Sequence, residues 1–267
     1  MLMTPDTQAE LRACAHAMAD AARAVILPMF RTGLVSDNKD AGGFDPVTEA
    51  DRAAERTMRD LLAQLRPEDA VLGEEYGEAA GTSGLQWVLD PIDGTRGFIS
   101  GTPTWGVLVS VRDAGGPLYG LIDQPYIGER FEGGFGVAQV TGPMGIAPLA
   151  TRAARALESA TLLTTFPEVG SAVEGRAFHA VAERARLTRY GMDCYSYALL
   201  ALGQVDLVIE AGLSAYDIQA PIAVIQAAGG IVTDWQGGPA HEGGRIIAAA
   251  NPQIHAEALA ILQAQSE

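Results

Sequence analysis

The hydrophobic period changes along this chain, and the order of the changes limits the architectures open to it. Apolar residues recur at three- and four-residue steps at Leu11, Ala15, Met18, Ala22, Val25, Ile26 and Met29. That spacing predicts a helix, with Pro28 kinking or shortening its end. A second stripe, Ala54, Met58, Leu61, Leu62 and Leu65, predicts a helix from about Thr48 to Leu65, ended by Pro67. A glycine- and charge-rich loop, Lys39 to Pro46, joins the two. The pattern then turns to short apolar runs: Val71–Leu72, Trp87–Leu89, Gly106–Val111 and Leu118–Ile122. Glycine, proline or aspartate bounds each, as expected of strands. Residues 113–150 carry many glycines and several prolines, which suit hairpins. Beyond about residue 150 strands and helices alternate. Thr161–Thr165, Leu207–Ile209, Ile231–Val232 and Ile246–Ala250 read as strands. Val173–Arg186, Tyr195–Leu202, Ile218–Ala228 and Pro252–Gln263 read as helices. The expectation is a mixed α+β and α/β chain. Its antiparallel-rich N-terminal half, residues 1–145, packs with an alternating C-terminal half, 146–267, as one unit.

Composition excludes several function classes. At 267 residues and 48% apolar, the chain can bury a sizeable core, so wholesale disorder is excluded. Its 18 basic and 33 acidic residues leave a net charge of −15, which repels a phosphate backbone and argues against nucleic acid as partner. The same excess leaves carboxylates available for hard metal ions. Cys14 and Cys194 are far apart and form no CxxC motif, and His16, His179, His241 and His255 do not cluster. Neither a disulfide framework nor a thiolate or histidine zinc site is expected, and a reducing cytoplasm fits. No signal peptide and no membrane span are read.

Three acidic clusters stand at the ends of predicted elements. They are Gly73-Glu74-Glu75, Asp90-Pro91-Ile92-Asp93-Gly94-Thr95, and Asp217 at the start of its helix. The middle one is the most informative. Pro91 fixes its own φ and forces a turn, so Asp90 and Asp93 can face one side with the Ile92 carbonyl between them. Magnesium takes such hard oxygens. Gly94-Thr95 opens a short helix through Phe98, whose backbone N–H groups would hold an anion. Taken singly, each has a plainer reading: an aspartate turn, a solvated glutamate pair, an N-cap. Together they point to a phosphate ester held between cations and amides. Haloacid-dehalogenase-like enzymes need two aspartates at i and i+2; here the spacing is i and i+3 with Pro91 between, which suits metal binding better than a phosphoaspartate.

Read in order, Gly73-Glu74-Glu75, Trp87-Val88-Leu89-Asp90-Pro91-Ile92-Asp93-Gly94-Thr95, and Tyr216-Asp217 before Ala227-Ala228-Gly229-Gly230 resemble the inositol-monophosphatase superfamily. The resemblance runs from about Ala9 to Ala260. It implies a layered αβαβα sandwich of the metal-dependent sugar-phosphatase type. It further implies two or three Mg²⁺ ions held by Glu74, Asp90, Asp93, Asp217 and the Ile92 carbonyl, with phosphate on Gly94 and Thr95. The last motif usually begins with Trp, where this chain has Tyr216. Pro46-Val47-Thr48-Glu49-Ala50-Asp51 matches the segment whose aspartate pairs with the DGT threonine. Asp51 with Thr95, helped by Glu74, would then orient or deprotonate the attacking water. The same Thr48-Glu49-Ala50-Asp51 also reads as a helix capping box. Lys39 matches a basic position near the metals, or is a solvated loop lysine. Relatives are commonly dimers, so a homodimer is expected.

Two features resemble the histidinol phosphatases within that superfamily. One is Arg96 after Gly94-Thr95; the other is Tyr190-Gly191-Met192-Asp193-Cys194-Tyr195-Ser196-Tyr197, similar to a GDCYxY stretch. Histidinol phosphate carries an ammonium and an imidazole, and Asp193 and Glu210 would add negative charge at that end. Plainer readings remain for each: a helix cap for Asp193, a strand-end surface position for Glu210, a helix-surface or dimer contact for Arg96. The expected reaction is Mg²⁺-dependent hydrolysis of a small phosphate monoester, with histidinol phosphate first. An inositol or broad sugar phosphatase is the alternative, and a non-catalytic binder of metal and phosphate the remoter one.

Overall fold

The structure is a computed structural model describing residues 3–38 and 46–265. Lys39 lies outside the described residues, so its predicted place near the metals has no structural counterpart here. Helix α1 (Pro5–Ile26) is capped by Thr4, and Pro28 turns its last residues into a short 3₁₀ segment, Leu27–Met29. A two-stranded ribbon, β1 (Asp37–Asn38) and β2 (Pro46–Val47), precedes α2 (Glu49–Leu65). Then come β3 (Ala70–Gly73), β4 (Gly77–Ala79), β5 (Gln86–Asp93) and the short helix α3 (Thr95–Ser100). A meander follows: β6 (Gly106–Asp113), β7 (Gly116–Gln124), β8 (Glu129–Gly134), β9 (Val137–Gly142) and β10 (Gly145–Pro148). The rest of the chain alternates: β11 (Thr161–Thr164), α4 (Ala172–Ala182), β12 (Leu187–Tyr190), α5 (Tyr195–Ala201), β13 (Leu207–Leu213), α6 (Ala215–Ala227), β14 (Ile231–Asp234), β15 (Gly244–Ala249) and α7 (Pro252–Gln265).

Two sheets result. One has eight strands in the order β10-β9-β8-β7-β6-β5-β3-β4, antiparallel except where β3 pairs with β5. The other has five, β12-β11-β13-β15-β14, parallel across β12-β11-β13 and antiparallel across β13-β15-β14. Side-chain alternation divides each central strand between two cores. In β6, Val107, Val109 and Val111 join the core beneath α1 and α2, while Leu108 joins the core around α5 and α6. In β13, Val208 faces α5 and α6, while Leu207 and Ile209 face α4 and α7. Helices therefore cover both outer faces and fill the space between the sheets, the αβαβα layering implied by the resemblance. Strands with helices on both faces read as near-continuous apolar runs, which is why the sequence displayed them as such.

Between the sheets, α6 lies very close to β7 and β8. A Cβ on Gly120 would fall 2.4 Å from the Ala220 carbonyl oxygen, and one on Gly133 would fall 2.5 Å from the Val224 Cα. Strand β12, missed in the sequence, is a largely exposed sheet edge with no apolar run to betray it. The preceding helix correspondingly ends at Ala182 rather than Arg186. No helix among the described residues is long and apolar enough to cross a membrane.

Candidate active site

Strand β5 runs through both aspartates instead of stopping at Leu89, and its pairing with β6 slips between Asp90 and Asp93. Pro91 has no N–H for the ladder, and the Ile92 N–H donates to Asp90 Oδ1 at 3.1 Å instead. This irregularity is what lets two carboxylates three residues apart converge. Gly94 then turns the chain at φ 87°, in the left-handed region, and caps α3. A Cβ there would also collide with the Asp193 carboxylate at 2.7 Å, so glycine is required on both counts.

Asp217 comes from the other side of the cleft. Its helix begins at Ala215, three residues earlier than the apolar pattern suggested, so Asp217 sits inside the first turn. There it accepts a hydrogen bond from the Ser214 N–H at 2.7 Å. Asp90, Asp93 and Asp217 each offer an oxygen within 4.8 Å of the others. Glu74, in the turn after β3, interacts directly with Asp90. Burial first, then the charges of Glu74, Asp93 and Asp217, push the Asp90 carboxyl well above the usual carboxylate range. Burial and the Asp217 and Asp193 charges do the same to Asp93. A set of hard oxygens that repel one another this strongly fits a divalent cation such as Mg²⁺, which would supply the missing positive charge.

Asp51 is fully buried and divides its two oxygens. Oδ2 accepts from the Thr48 N–H at 2.8 Å and from the Thr48 hydroxyl at 2.6 Å, which makes the capping box real. Oδ1 faces the Thr95 hydroxyl at 3.3 Å, and that hydroxyl also lies 3.2 Å from the Ile92 carbonyl oxygen.

Asp193, Glu210 and Arg96 line the same cleft of about 260 Å³ as the carboxylate cluster and Gly94-Thr95. Asp193 does not cap α5 with its side chain. Its residue adopts φ 45° and its Oδ2 accepts from the Thr104 hydroxyl at 3.1 Å. Burial raises its pKa above the usual value. Glu210 is buried, not a surface strand end, because β13 continues past Ile209. It accepts from the Thr164 hydroxyl, the Thr165 N–H at 2.6 Å and the Thr165 hydroxyl at 2.9 Å. Burial outweighs these bonds and pushes its carboxyl up to about 7. Arg96 stands at the exposed lip with its guanidinium 4.8 Å from the Phe166 ring centre.

Three supporting contacts were not read from the sequence. The Cys194 N–H donates to Asp93 Oδ2 at 2.6 Å, joining the GMDCYSY segment to the DPIDGT turn across 101 positions. Buried Glu55 accepts from the Glu75 N–H at 2.7 Å and the Tyr76 N–H at 3.3 Å, fixing the turn that carries Glu74. Phe166 enters the cleft from the loop after β11. A charged residue on the apolar face of α2 was the one available signal for Glu55; the other two contacts leave no local trace.

The profile of the inositol monophosphatase family matches residues 7–267, and the chain belongs to that family of metal-dependent phosphatases acting on small phosphate esters. It is 39% identical to a bifunctional phosphatase, IMPL2, of Arabidopsis thaliana, over 94% of this chain and 74% of that protein. It is 34% identical to a histidinol-phosphatase of Streptomyces coelicolor, over 97% and 98% of the two chains. The solved structure of an inositol monophosphatase from Zymomonas mobilis superposes with a TM-score of 0.84 at 38% identity, covering 98% of this chain and 100% of that one.

Proposed function

We propose that this phosphatase hydrolyses L-histidinol phosphate to L-histidinol and inorganic phosphate. The observation that carries this reading is the excess of carboxyls in one cleft. Asp193 and Glu210 line it in addition to Glu74, Asp90, Asp93 and Asp217. Four carboxylates suffice for the metal. A neutral polyol would bring no opposite charge to the other two, which have only the Thr104, Thr164 and Thr165 hydrogen bonds, while an ammonium or imidazolium would meet them with charge-assisted hydrogen bonds. The likeness to the Streptomyces coelicolor histidinol-phosphatase along nearly the whole of both chains supports the same substrate.

In this reading Glu74, Asp90, Asp93, Asp217 and the Ile92 carbonyl hold Mg²⁺. When bound, Mg²⁺ supplies charge neutralisation to the phosphoryl oxygens and lowers the pKa of water. Gly94 and Thr95 bind phosphate through the start of α3. Thr95 orients the attacking water and takes its proton while passing its own hydroxyl proton to Asp51 Oδ1. Asp193 and Glu210 fix the cationic end of the leaving group, and Arg96, held over Phe166, borders the entrance.

The test compares phosphate release from histidinol phosphate and inositol 1-phosphate, with Mg²⁺ and with chelator. A kcat/KM at least tenfold higher for histidinol phosphate, abolished by chelator, is expected. Preference for inositol phosphate would return the chain to the activity named for its Zymomonas mobilis neighbour.

A further inference from the structure

One large apolar side chain stands in the cleft, unused by the metal, water and carboxyl roles. Phe166 lines the same wall as Glu210, yet it is 43% exposed. Its backbone is pinned on both sides. Thr165, just before it, gives its N–H and its hydroxyl to Glu210 Oε1. Three residues after it, buried Val169 gives its N–H to the Phe166 carbonyl at 3.3 Å. Val169 adopts φ 41°, a left-handed conformation that a β-branched residue takes only where its surroundings impose it. The loop therefore fixes Phe166 in place without burying its ring. Apolar residues exposed singly on an open surface are ordinary, but one held inside a cleft lined by carboxyls is part of what the cleft can bind.

The Arg96 guanidinium lies over this ring, 4.8 Å from its centre. Arg96 belongs to α3, which follows β5 of the eight-stranded sheet, while Phe166 follows β11 of the five-stranded one. A flat group coming from the opposite wall thus reaches the Phe166 face. Asp193 and Glu210 account for a positive charge in the leaving group but offer nothing to a flat ring, whereas an aromatic face does, by offset stacking. Because Phe166 directly follows the residue that holds Glu210, the aromatic surface and that carboxyl adjoin each other on one wall. We infer that Phe166 is a specificity residue: it stacks on the planar ring of an amino-alcohol phosphate whose amine and ring stand on adjacent carbons, while Asp193 and Glu210 take the ammonium. This rests on the histidinol-phosphate reading and assigns its imidazole to Phe166. A polyol phosphate has neither the amine nor the aromatic face.

Phe166 contributes little to the core, so its variants should melt within about 2 °C of wild type. With histidinol phosphate, Phe166→Ala should raise KM roughly 3- to 10-fold, the size of one lost aromatic pair, with kcat changed less than about twofold. With phosphoethanolamine, which has the ammonium but no ring, KM should change less than about twofold. L-Histidinol binding to the Mg²⁺-loaded protein, followed by calorimetry, should weaken by the same factor as the histidinol-phosphate loss. Phe166→Tyr, which keeps an aromatic face, should retain the wild-type values, and Phe166→Leu should behave as Phe166→Ala. If wild type prefers inositol 1-phosphate to histidinol phosphate, the substrate reading fails and takes this inference with it. If wild type prefers histidinol phosphate, three results overturn the inference alone: Phe166→Ala harms phosphoethanolamine equally, it changes neither substrate, or leucine serves as well as tyrosine.

Discussion

Asp51 has two carboxylate oxygens, and the protein uses them for different purposes. Oδ2 completes the cap of α2, and Oδ1 faces Thr95. The two readings of Thr48-Glu49-Ala50-Asp51 are therefore not alternatives. Asp51→Asn should consequently do two things: lower kcat by roughly 10²-fold, as for loss of a general base, and cost about 1 kcal/mol of stability through the weakened cap. Thr95→Ala should show the kcat loss without the capping loss. Steady-state kinetics and urea denaturation of both variants separate the effects, and a folded Asp51→Asn enzyme with near-normal kcat would reduce Asp51 to a cap. Glu210 gives a second test at this scale. Burial raises its carboxyl to about 7 in the folded protein, against 4.5 for an ordinary glutamate. The folded state then holds its proton where the unfolded state has released it. Glu210 accordingly stabilises the fold at acidic pH, and that contribution is lost as pH rises from about 4.5 through 7. Urea midpoints in chelator at pH 5 and pH 8 should differ more for wild type than for Glu210→Gln. Equal differences would contradict the assignment.

The elements that carry the site are held by contacts that tolerate little change. Helix α6 brings Asp217 to the cluster and rests almost backbone-to-backbone on β7 and β8 at Gly120 and Gly133. The added side chain in Gly133→Val has no room, because the Val224 Cα and the Ala223 carbonyl oxygen occupy the space. Overpacking of this kind typically costs about 1–3 kcal/mol. Moving α6 would also shift Asp217 relative to Asp90 and Asp93. Gly133→Val should therefore lower both the denaturation midpoint and Mg²⁺ affinity; a midpoint shift with unchanged affinity would show that α6 moves without its N-terminus. Helix α1 is tied to the opposite face of the same sheet by charge. Buried Glu132 on β8 accepts from Arg12 at 2.7 Å and from the Tyr119 hydroxyl at 2.6 Å, with His16 at 3.0 Å. Burial alone would raise its pKa, but these partners outweigh burial and hold it well below the usual range.

At the scale of the whole molecule, the carboxylate cluster spans the space between the sheets. Glu74 follows β3, and Asp90 and Asp93 lie within and at the end of β5 in the eight-stranded sheet, while Asp217 is in the first turn of α6 after β13 of the five-stranded one. A cation bound there links both and offsets the burial and mutual repulsion that raise Asp90 and Asp93. Anything bound only by the folded state stabilises it by mass action, about 2.7 kcal/mol at a hundredfold excess over Kd. The melting temperature should therefore rise with Mg²⁺ concentration and fall in chelator. In Asp90→Asn the Mg²⁺ dependence should largely vanish, while the chelated protein should melt no lower than wild type, because one repelling charge is gone. A chelated variant that melts well below wild type would point to a structural role for Asp90 instead.

Local chemistry made much of this legible in the sequence. The period of the apolar residues located α1, α2 and most strands, because burial on a helix face or a two-sided strand imposes that spacing directly. Gly94 announced the turn that opens α3, while the turn expected at Pro91 is instead an irregularity within β5. What remained hidden depended on partners distant in the chain. The Cys194 amide on Asp93 and the Glu55 carboxylate under the Glu74 turn have no local signature. Exposed β12 buries no regular apolar face, so no period marked it. Glu210 shows the division most plainly. As a residue after Val208-Ile209 it reads as a strand end at the surface. Only the docking of β13 between β11 and β15, beneath α5, removes it from water and gives its carboxyl an altered affinity for protons. Residue types and spacing determine which groups are available; burial, and the charges brought near by folding, determine what those groups do.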